Sequence, residues 1–270
     1  MNILEKIVAR KQEEIQAAKK IKSIDDLEQE PLFGRQTISL SSRLREATAP
    51  QIISEFKRKS PSKGLINGAV TPEIVTAAYI HGGAAALSVL TDSDFFGGSF
   101  QDFLSARTTN PGIPMLRKDF MVDPYQIYEA KAIGADLILL IAACLSPAHV
   151  KSMAAQAHAL GLEVLLEVHN LEELQSSLCE EVDMVGVNNR NLKNFETSTE
   201  TSVLLSKHIP DSFVKISESG LEHPDTILNL YAHGYKGFLI GETFMKRSDP
   251  GAAFNDLQNE LTINSKLNPI

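Results

Sequence analysis

Cysteine is nearly absent. Cys144 and Cys179 are the only two in 270 residues, and neither belongs to a Cys-x-x-Cys or Cys/His ligand pattern. Disulfides and structural zinc are therefore not expected, and a reducing, cytoplasmic setting fits. Long apolar runs are missing too. The first residues carry a charge every few positions, and no later run reaches the length of a membrane span, so no membrane partner is expected. The seven histidines contain no His-x-x-x-His pair. His149, His158, His169, His208, His223 and His233 fall in predicted helices or at their ends, and His81 precedes Gly82-Gly83 at a helix terminus. All seven read as helix-end or surface residues, which leaves neither a metal site nor a Ser-His-Asp nucleophile. No Gly-x-Gly-x-x-Gly turn follows the first predicted strand, and no Gly-Lys-Ser/Thr occurs anywhere, so no dinucleotide or Walker loop is expected.

An excess of positive charge is also lacking. The formal net charge is −8, and an acidic body repels polyanions, so nucleic acid is not an expected partner. The local basic groups Lys57, Arg58, Lys59, Lys63, Arg117, Lys118 and Arg190 point instead to a small anionic ligand focused into one cleft. The length suits one large domain that buries about three quarters of its unfolded surface. A monomer or weak homodimer is expected. The eighth predicted helix lies near the last residue, so a single activity is expected.

What is present is alternation. Ile3, Leu4, Ile7, Val8 and Ile15 recur at near-helical spacing, predicting an amphipathic helix whose apolar stripe covers a barrel mouth or side. Residues 22–50 read as an irregular connection with a short helix near 42–47, so residues 1–50 form a helical extension. Residues 51–265 alternate eight times between a short apolar run and a longer amphipathic one. The predicted strands are 51–57, 85–91, 114–119, 136–142, 162–168, 183–188, 213–218 and 237–241. Helices are predicted to begin near Pro72, Phe100, Asp123, Ser146, Asn170, Ser198, His223 and Asp249. Eight such units predict an α/β fold, a (β/α)8 TIM barrel with an N-terminal helical extension. An open doubly wound sheet ranks below it.

In such a barrel the active site lies at the carboxyl ends of the strands, and charged residues gather there in the sequence. Glu55 and Lys57 close the first strand on one face, roughly 6 to 7 Å apart. Lys118 closes the third and Glu167 the fifth, Asn188 and Arg190 leave the sixth, and Glu218-Ser219-Gly220 close the seventh. Alternation points Lys118 inward with Leu116, and Glu167 inward with Leu165; Arg117 and Asp119 have the opposite parity and should pack against helices. Glu218 either braces a lysine or contacts ligand directly. Ser219-Gly220 and Gly241, after strands seven and eight with Lys57 and Ser60 across the mouth, suit a phosphate held by backbone N–H groups. The flanking Arg58 and Lys59 need do no more than steer a ligand in.

These motifs, in order, resemble indole-3-glycerol phosphate synthase of tryptophan biosynthesis. The resemblance rests on Glu-Phe-Lys-Arg-Lys-Ser-Pro-Ser-Lys-Gly at Glu55, Leu-Arg-Lys-Asp-Phe around Lys118 and Leu-Leu-Glu-Val-His around Glu167. It continues through Gly-Val-Asn-Asn-Arg-Asn-Leu around Asn188, Ser-Glu-Ser-Gly at Ser217, Leu-Ile-Gly-Glu at Leu239 and the opening helix. It implies a carboxy-lyase without cofactor that closes the ring of 1-(2-carboxyphenylamino)-1-deoxyribulose 5-phosphate. The products are indole-3-glycerol phosphate, carbon dioxide and water. The implied catalytic set is Lys118 as general acid, Glu167 as its acid/base partner, Glu55 and Lys57 assisting, and Asn188. The implied substrate-binding set is Ser60, Phe120, Arg190, Glu218, Ser219, Gly220, Gly241 and Glu242. Among these, Asn188, Arg190 and Phe120 line the anthranilate end.

Elementary acidities agree, since lysine near 10.4 donates and glutamate near 4.3 accepts at neutral pH. Which glutamate acts in which step stays open. Some members have serine where Glu242 stands, so its carboxylate must turn away from a phosphate or repel it. The competing readings are a Schiff-base aldolase using Lys118, the neighbouring phosphoribosylanthranilate isomerase, and a non-catalytic barrel that binds a phosphorylated metabolite.

Overall fold

The computed structural model describes residues 3–192 and 195–267. The eight apolar runs form β1 Gln51–Phe56, β2 Ala86–Leu90, β3 Met115–Lys118, β4 Leu137–Ile141, β5 Glu163–Val168, β6 Met184–Asn188, β7 Val214–Glu218 and β8 Tyr235–Ile240. All neighbours run parallel, and β1 pairs with both β2 and β8, which closes the barrel. The predicted (β/α)8 architecture is the fold. The eighth strand begins two residues earlier than expected, at Tyr235, with a register irregularity between Tyr235 and Gly237.

The helices begin where the capping residues put them. Ser99, Ser146 and Asn170 each accept a hydrogen bond from the backbone N–H three residues on, satisfying a donor that the helix leaves free. Alternation along the strands then sorts the core. Ile53, Leu116, Leu139, Leu165, Met184, Ile216 and Leu239 face the barrel interior, while Ile52, Val89, Ile138, Leu166, Val185 and Phe238 pack against the helices.

The extension is more regular than its polar sequence predicts. It contains α1 Ile3–Ile21, α2 Ile24–Glu28, started by a Ser23/Asp26 capping box, and α3 Leu40–Glu46. Leu40 and Leu44 are fully buried in the interior cluster, so α3 plugs the amino-terminal end of the barrel. Glu163, the first residue of β5, holds the plug by accepting from the N–H groups of Leu40 and Ser41 at 2.8 and 3.1 Å. On α1 the buried stripe is Ile7, Lys11 and Ile15, an apolar pattern interrupted by a cation.

The loop after β1 folds into a two-residue antiparallel ladder, Lys59–Ser60 against Gly64–Leu65, with Gly64 at φ +67° in its turn. Arg58 pairs with Asp102 of the helix Phe100–Thr109, and Lys59 Nζ donates to the Asp94 carbonyl at 2.7 Å. These two residues therefore tie the loop down. Arg117 is likewise occupied away from the mouth, donating to the Gln126 carbonyl and to Glu129 at 2.8 and 3.2 Å. Of the seven basic groups read from the sequence, Lys57, Lys63, Lys118 and Arg190 face the mouth. Among the described residues no helix is long and apolar enough to cross a membrane.

Candidate active site

A cavity of about 750 Å³ opens at the carboxyl ends of the strands, and it is lined by all thirteen residues singled out from the sequence. Its centre is Lys118, delivered by the last residue of β3. Its Nζ donates to Glu167 Oε2 at 2.9 Å and lies 3.4 Å from Glu218 Oε2. Burial works against the charge on Lys118, but Glu167, Glu218 and Glu55 outweigh it and hold the ammonium above the usual lysine range. Lys118 thus stays protonated, and Glu218 both braces it and lines the cavity.

Glu167 is buried and fully engaged. Beyond Lys118, its Oε1 accepts from Asn188 Nδ2 at 3.1 Å and lies 3.3 Å from His169 Nε2. Burial opposes ionisation, yet Lys118 and His169 hold this carboxyl well below the usual range. The sequence puts His169 at a helix end, and it does precede the Asn170 cap, but its ring turns inward to Glu167 rather than to the surface. His169 is mostly buried, with Nδ1 3.1 Å from Glu173 Oε2, and the two glutamates outweigh burial to push its pKa up to about 10. The signal was available: His169 follows Glu167 by two residues, so alternation puts both on one face.

Glu55 and Lys57 sit as alternation requires, with Lys57 Nζ 2.9 Å from Glu55 Oε1. The Glu55 side chain lies over Gly241. A Cβ there would stand 2.5 Å from Glu55 Oε1 and 3.0 Å from its Cβ, so glycine is needed for the acid quite apart from any ligand.

The loop after β7 is strained in a useful way. Ser219 and Gly220 are both left-handed, at φ +68° and +73°, and their N–H groups meet no acceptor among the described residues. A buried network fixes them from below: Asn189 Nδ2 donates to the Ser219 carbonyl and to Ser217 Oγ, both at 3.0 Å, and Ser202 Oγ donates to Asn189 Oδ1 at 2.8 Å. Asn188 Oδ1 accepts from Ser219 Oγ at 3.0 Å, linking this loop to the acid cluster. Asn189 was not singled out from the sequence, where it is simply the second Asn of a pair.

The remaining rim is ionic on one side and apolar on the other. Arg190 Nη2 donates to Glu242 Oε2 at 3.1 Å, and Lys63 Nζ stands 4.0 Å from Glu242 Oε1, so the Glu242 carboxylate is engaged by two cations. Opposite, Phe120 packs against Phe96 with ring centroids 5.9 Å apart, and Ile3, Leu4 and Ile7 of α1 lean in over the mouth. Phe96, like His169, was missed; it lies in a loop beyond the second strand, where no periodicity points it inward.

A family model described as indole-3-glycerol phosphate synthase matches residues 4–257. An indole-3-glycerol phosphate synthase from Bacteroides thetaiotaomicron is 45% identical over 263 residues, covering 96% of this chain and 98% of that protein. One from Albidiferax ferrireducens is 42% identical over 259 residues, covering 95% and 98%. Among solved structures, the tryptophan synthase alpha subunit of Legionella pneumophila aligns with a TM-score of 0.61 at 12% identity, covering 84% of this chain and 97% of that one, a likeness of fold alone. The thirteen motif residues converge on one cavity, and full-length relatives carry one name, so the chain belongs to the indole-3-glycerol phosphate synthase family.

Proposed function

We propose that this protein converts 1-(2-carboxyphenylamino)-1-deoxyribulose 5-phosphate to indole-3-glycerol phosphate, carbon dioxide and water. The observation that carries this reading is the position of Lys118, a largely buried ammonium 2.9 Å from Glu167, between an anion-ready loop and an apolar wall. The substrate has the same polarity. Its phosphate suits the free N–H groups of Ser219 and Gly220, with Ser60, Gly241 and Glu242 around them. Its aromatic ring suits Phe96, Phe120 and the α1 residues, with Asn188 and Arg190 near the carboxylate.

Ring closure needs a proton at the substrate ketone oxygen as the aromatic carbon attacks, and Lys118 supplies it. Loss of carbon dioxide restores the aromatic ring. Dehydration then requires one proton on the departing hydroxyl and removal of another from the neighbouring carbon. Glu167 and the reprotonated Lys118 lie close enough to share those transfers, with Glu55 and Lys57 balancing charge.

The aldolase reading is less well supported, because a Schiff base needs a neutral amine and three carboxylates keep Lys118 charged. Every group named comes from one chain, with residues 1–50 and the barrel acting as one catalytic unit. The chain contains no tryptophan, so newly formed indole fluorescence is read without background from that residue. Purified protein given the anilino-deoxyribulose phosphate should develop it. No product with the wild type, or full activity in Lys118→Ala, overturns the proposal.

A further inference from the structure

Gly186 stands in the middle of β6, at an inward-facing position registered with Ile216 of β7. Its backbone is not in the left-handed region, so conformation does not demand glycine there. Space does. A Cβ at this position would fall 2.4 Å from Glu218 Oε1 and 3.2 Å from Leu165 Cδ1. The Glu218 side chain folds down from the next strand into the volume that the missing side chain leaves. The floor is the apolar cluster that contains Leu165, Met184 and Ile216.

The two carboxyl oxygens of Glu218 consequently meet different surroundings. Oε2 lies 3.4 Å from Lys118 Nζ, whereas Oε1 is buried and has no hydrogen-bond partner among the described residues. We propose that Gly186 is a positioning residue, which seats the Glu218 carboxyl with one oxygen toward Lys118 and the other in an apolar recess. An ionised carboxylate with one oxygen unsolvated is disfavoured, and the neutral acid is not. The charged groups that face Glu218 are Lys118 from β3, Glu167 from β5 and Glu55 from β1. Burial, helped by the two glutamates, outweighs the lysine and pushes Glu218 up to about 7. Gly186 thereby keeps Glu218 able to exchange a proton near neutrality, while Glu167 stays ionised.

The effect on turnover rests on the reaction proposed above; the seating of the carboxyl does not. The first test is therefore independent of turnover: infrared titration of the buried carboxyl band in wild-type protein, Gly186→Ala and Glu218→Gln. The wild type should show a carboxyl that titrates near pH 7 and is absent in Glu218→Gln, and Gly186→Ala should lower its midpoint by at least one pH unit. An unchanged midpoint in Gly186→Ala overturns the proposal whatever the enzyme turns over.

The second test uses steady-state kinetics on the anilino-deoxyribulose phosphate. Gly186→Ala should lower kcat about tenfold or more with KM within about threefold, and should shift the acidic or basic limb that Glu218 contributes. In a Glu218→Ala background the same change should alter kcat less than about twofold, because the clash is gone. An undiminished effect there makes Gly186 a purely structural residue and overturns the proposal. Should Gly186→Ala fail to fold, Gly186→Ala with Glu218→Asp decides: the shorter acid no longer reaches the added methyl. That pair should melt as Glu218→Asp alone does, and a pair that still fails to fold overturns the proposal.

Discussion

Lys11 Nζ lies 3.0 Å from Asp119 Oδ1, and Asp119 is the chain neighbour of Lys118. The same ammonium stands 3.0 Å from Asp92 Oδ2 and 2.7 Å from Glu14, with Lys11, Asp92 and Asp119 all buried. One side chain on α1 thus clamps the loops after β2 and β3. Asp92 in turn accepts from the N–H groups of Phe95 and Phe96 at 2.8 and 3.1 Å, so the clamp reaches the apolar wall of the cavity.

Lys11→Met should therefore do more damage than a surface lysine change. It leaves buried Asp92 without its cation, while Asp119 keeps Arg117 at 3.1 Å, a loss of about 3 kcal/mol when a buried pair is broken from one side. Urea unfolding should register that loss, and KM should rise as Ile3, Leu4 and Ile7 lose their placement over the mouth. Stability and KM both matching the wild type would show that α1 is held by its apolar stripe alone.

Lys118→Met should abolish proton donation while preserving much of the volume. We expect kcat to fall about 10²- to 10⁴-fold, the usual contribution of a positioned acid. Binding should weaken far less, because the groups proposed to hold the phosphate and the ring are untouched. Single-turnover indole fluorescence separates the two effects, and a loss confined to KM would count against Lys118 as the acid.

His169 makes stability depend on pH in a definite direction. Its pKa rises from 6.5 to about 10 in the fold, so the folded state binds the proton more tightly than the unfolded chain. Its contribution is full below 6.5 and disappears as pH climbs through 10. Between about pH 6 and pH 10 the wild type should lose on the order of 4 kcal/mol more than His169→Gln, measured by chemical unfolding at both ends. Parallel pH slopes would mean that His169 carries no extra proton.

Glu242→Ser should tighten binding of inorganic phosphate. The change frees Arg190 and Lys63 from an internal anion and removes a negative charge beside Gly241. For a half-buried pair the expected gain is about 1 kcal/mol, or about fivefold in Kd, and it should shrink as salt is added. Calorimetry at two ionic strengths reads both quantities; weaker phosphate binding in the variant would show that the carboxylate orients its cations productively.

The barrel and most of its mouth were legible because both follow from period-two alternation. The inward parity of Lys118 and the outward parity of Arg117 were read from neighbouring positions, and the structure places each accordingly. His169 does stand at a helix start, and that position hides its parity with Glu167 and the contact between them. Lys11 hid in plain sequence: Ile7, Lys11 and Ile15 keep the i, i+4 spacing, but a lysine in such a stripe usually reads as its polar edge. Gly186 enters the sequence reading only as the first residue of the motif around Asn188, with no role of its own, since only the long-range approach of Glu218 distinguishes it from any other strand glycine. The plug α3 was reduced to a short helix in a connection because seven residues give too little periodicity to reveal a buried face.

That plug also constrains the order in which the molecule is completed. Its bonds to Ala85, Glu163 and Ser212 span 42, 123 and 167 residues, and Lys236 returns to the Ala47 carbonyl across 189. A segment made among the first fifty residues thus finds its last partner only when the eighth strand has left the ribosome. Until then Leu40 and Leu44 have no finished barrel to enter. Closure of the floor is a late, long-range event, and the nascent chain must keep an apolar hook exposed for most of its synthesis.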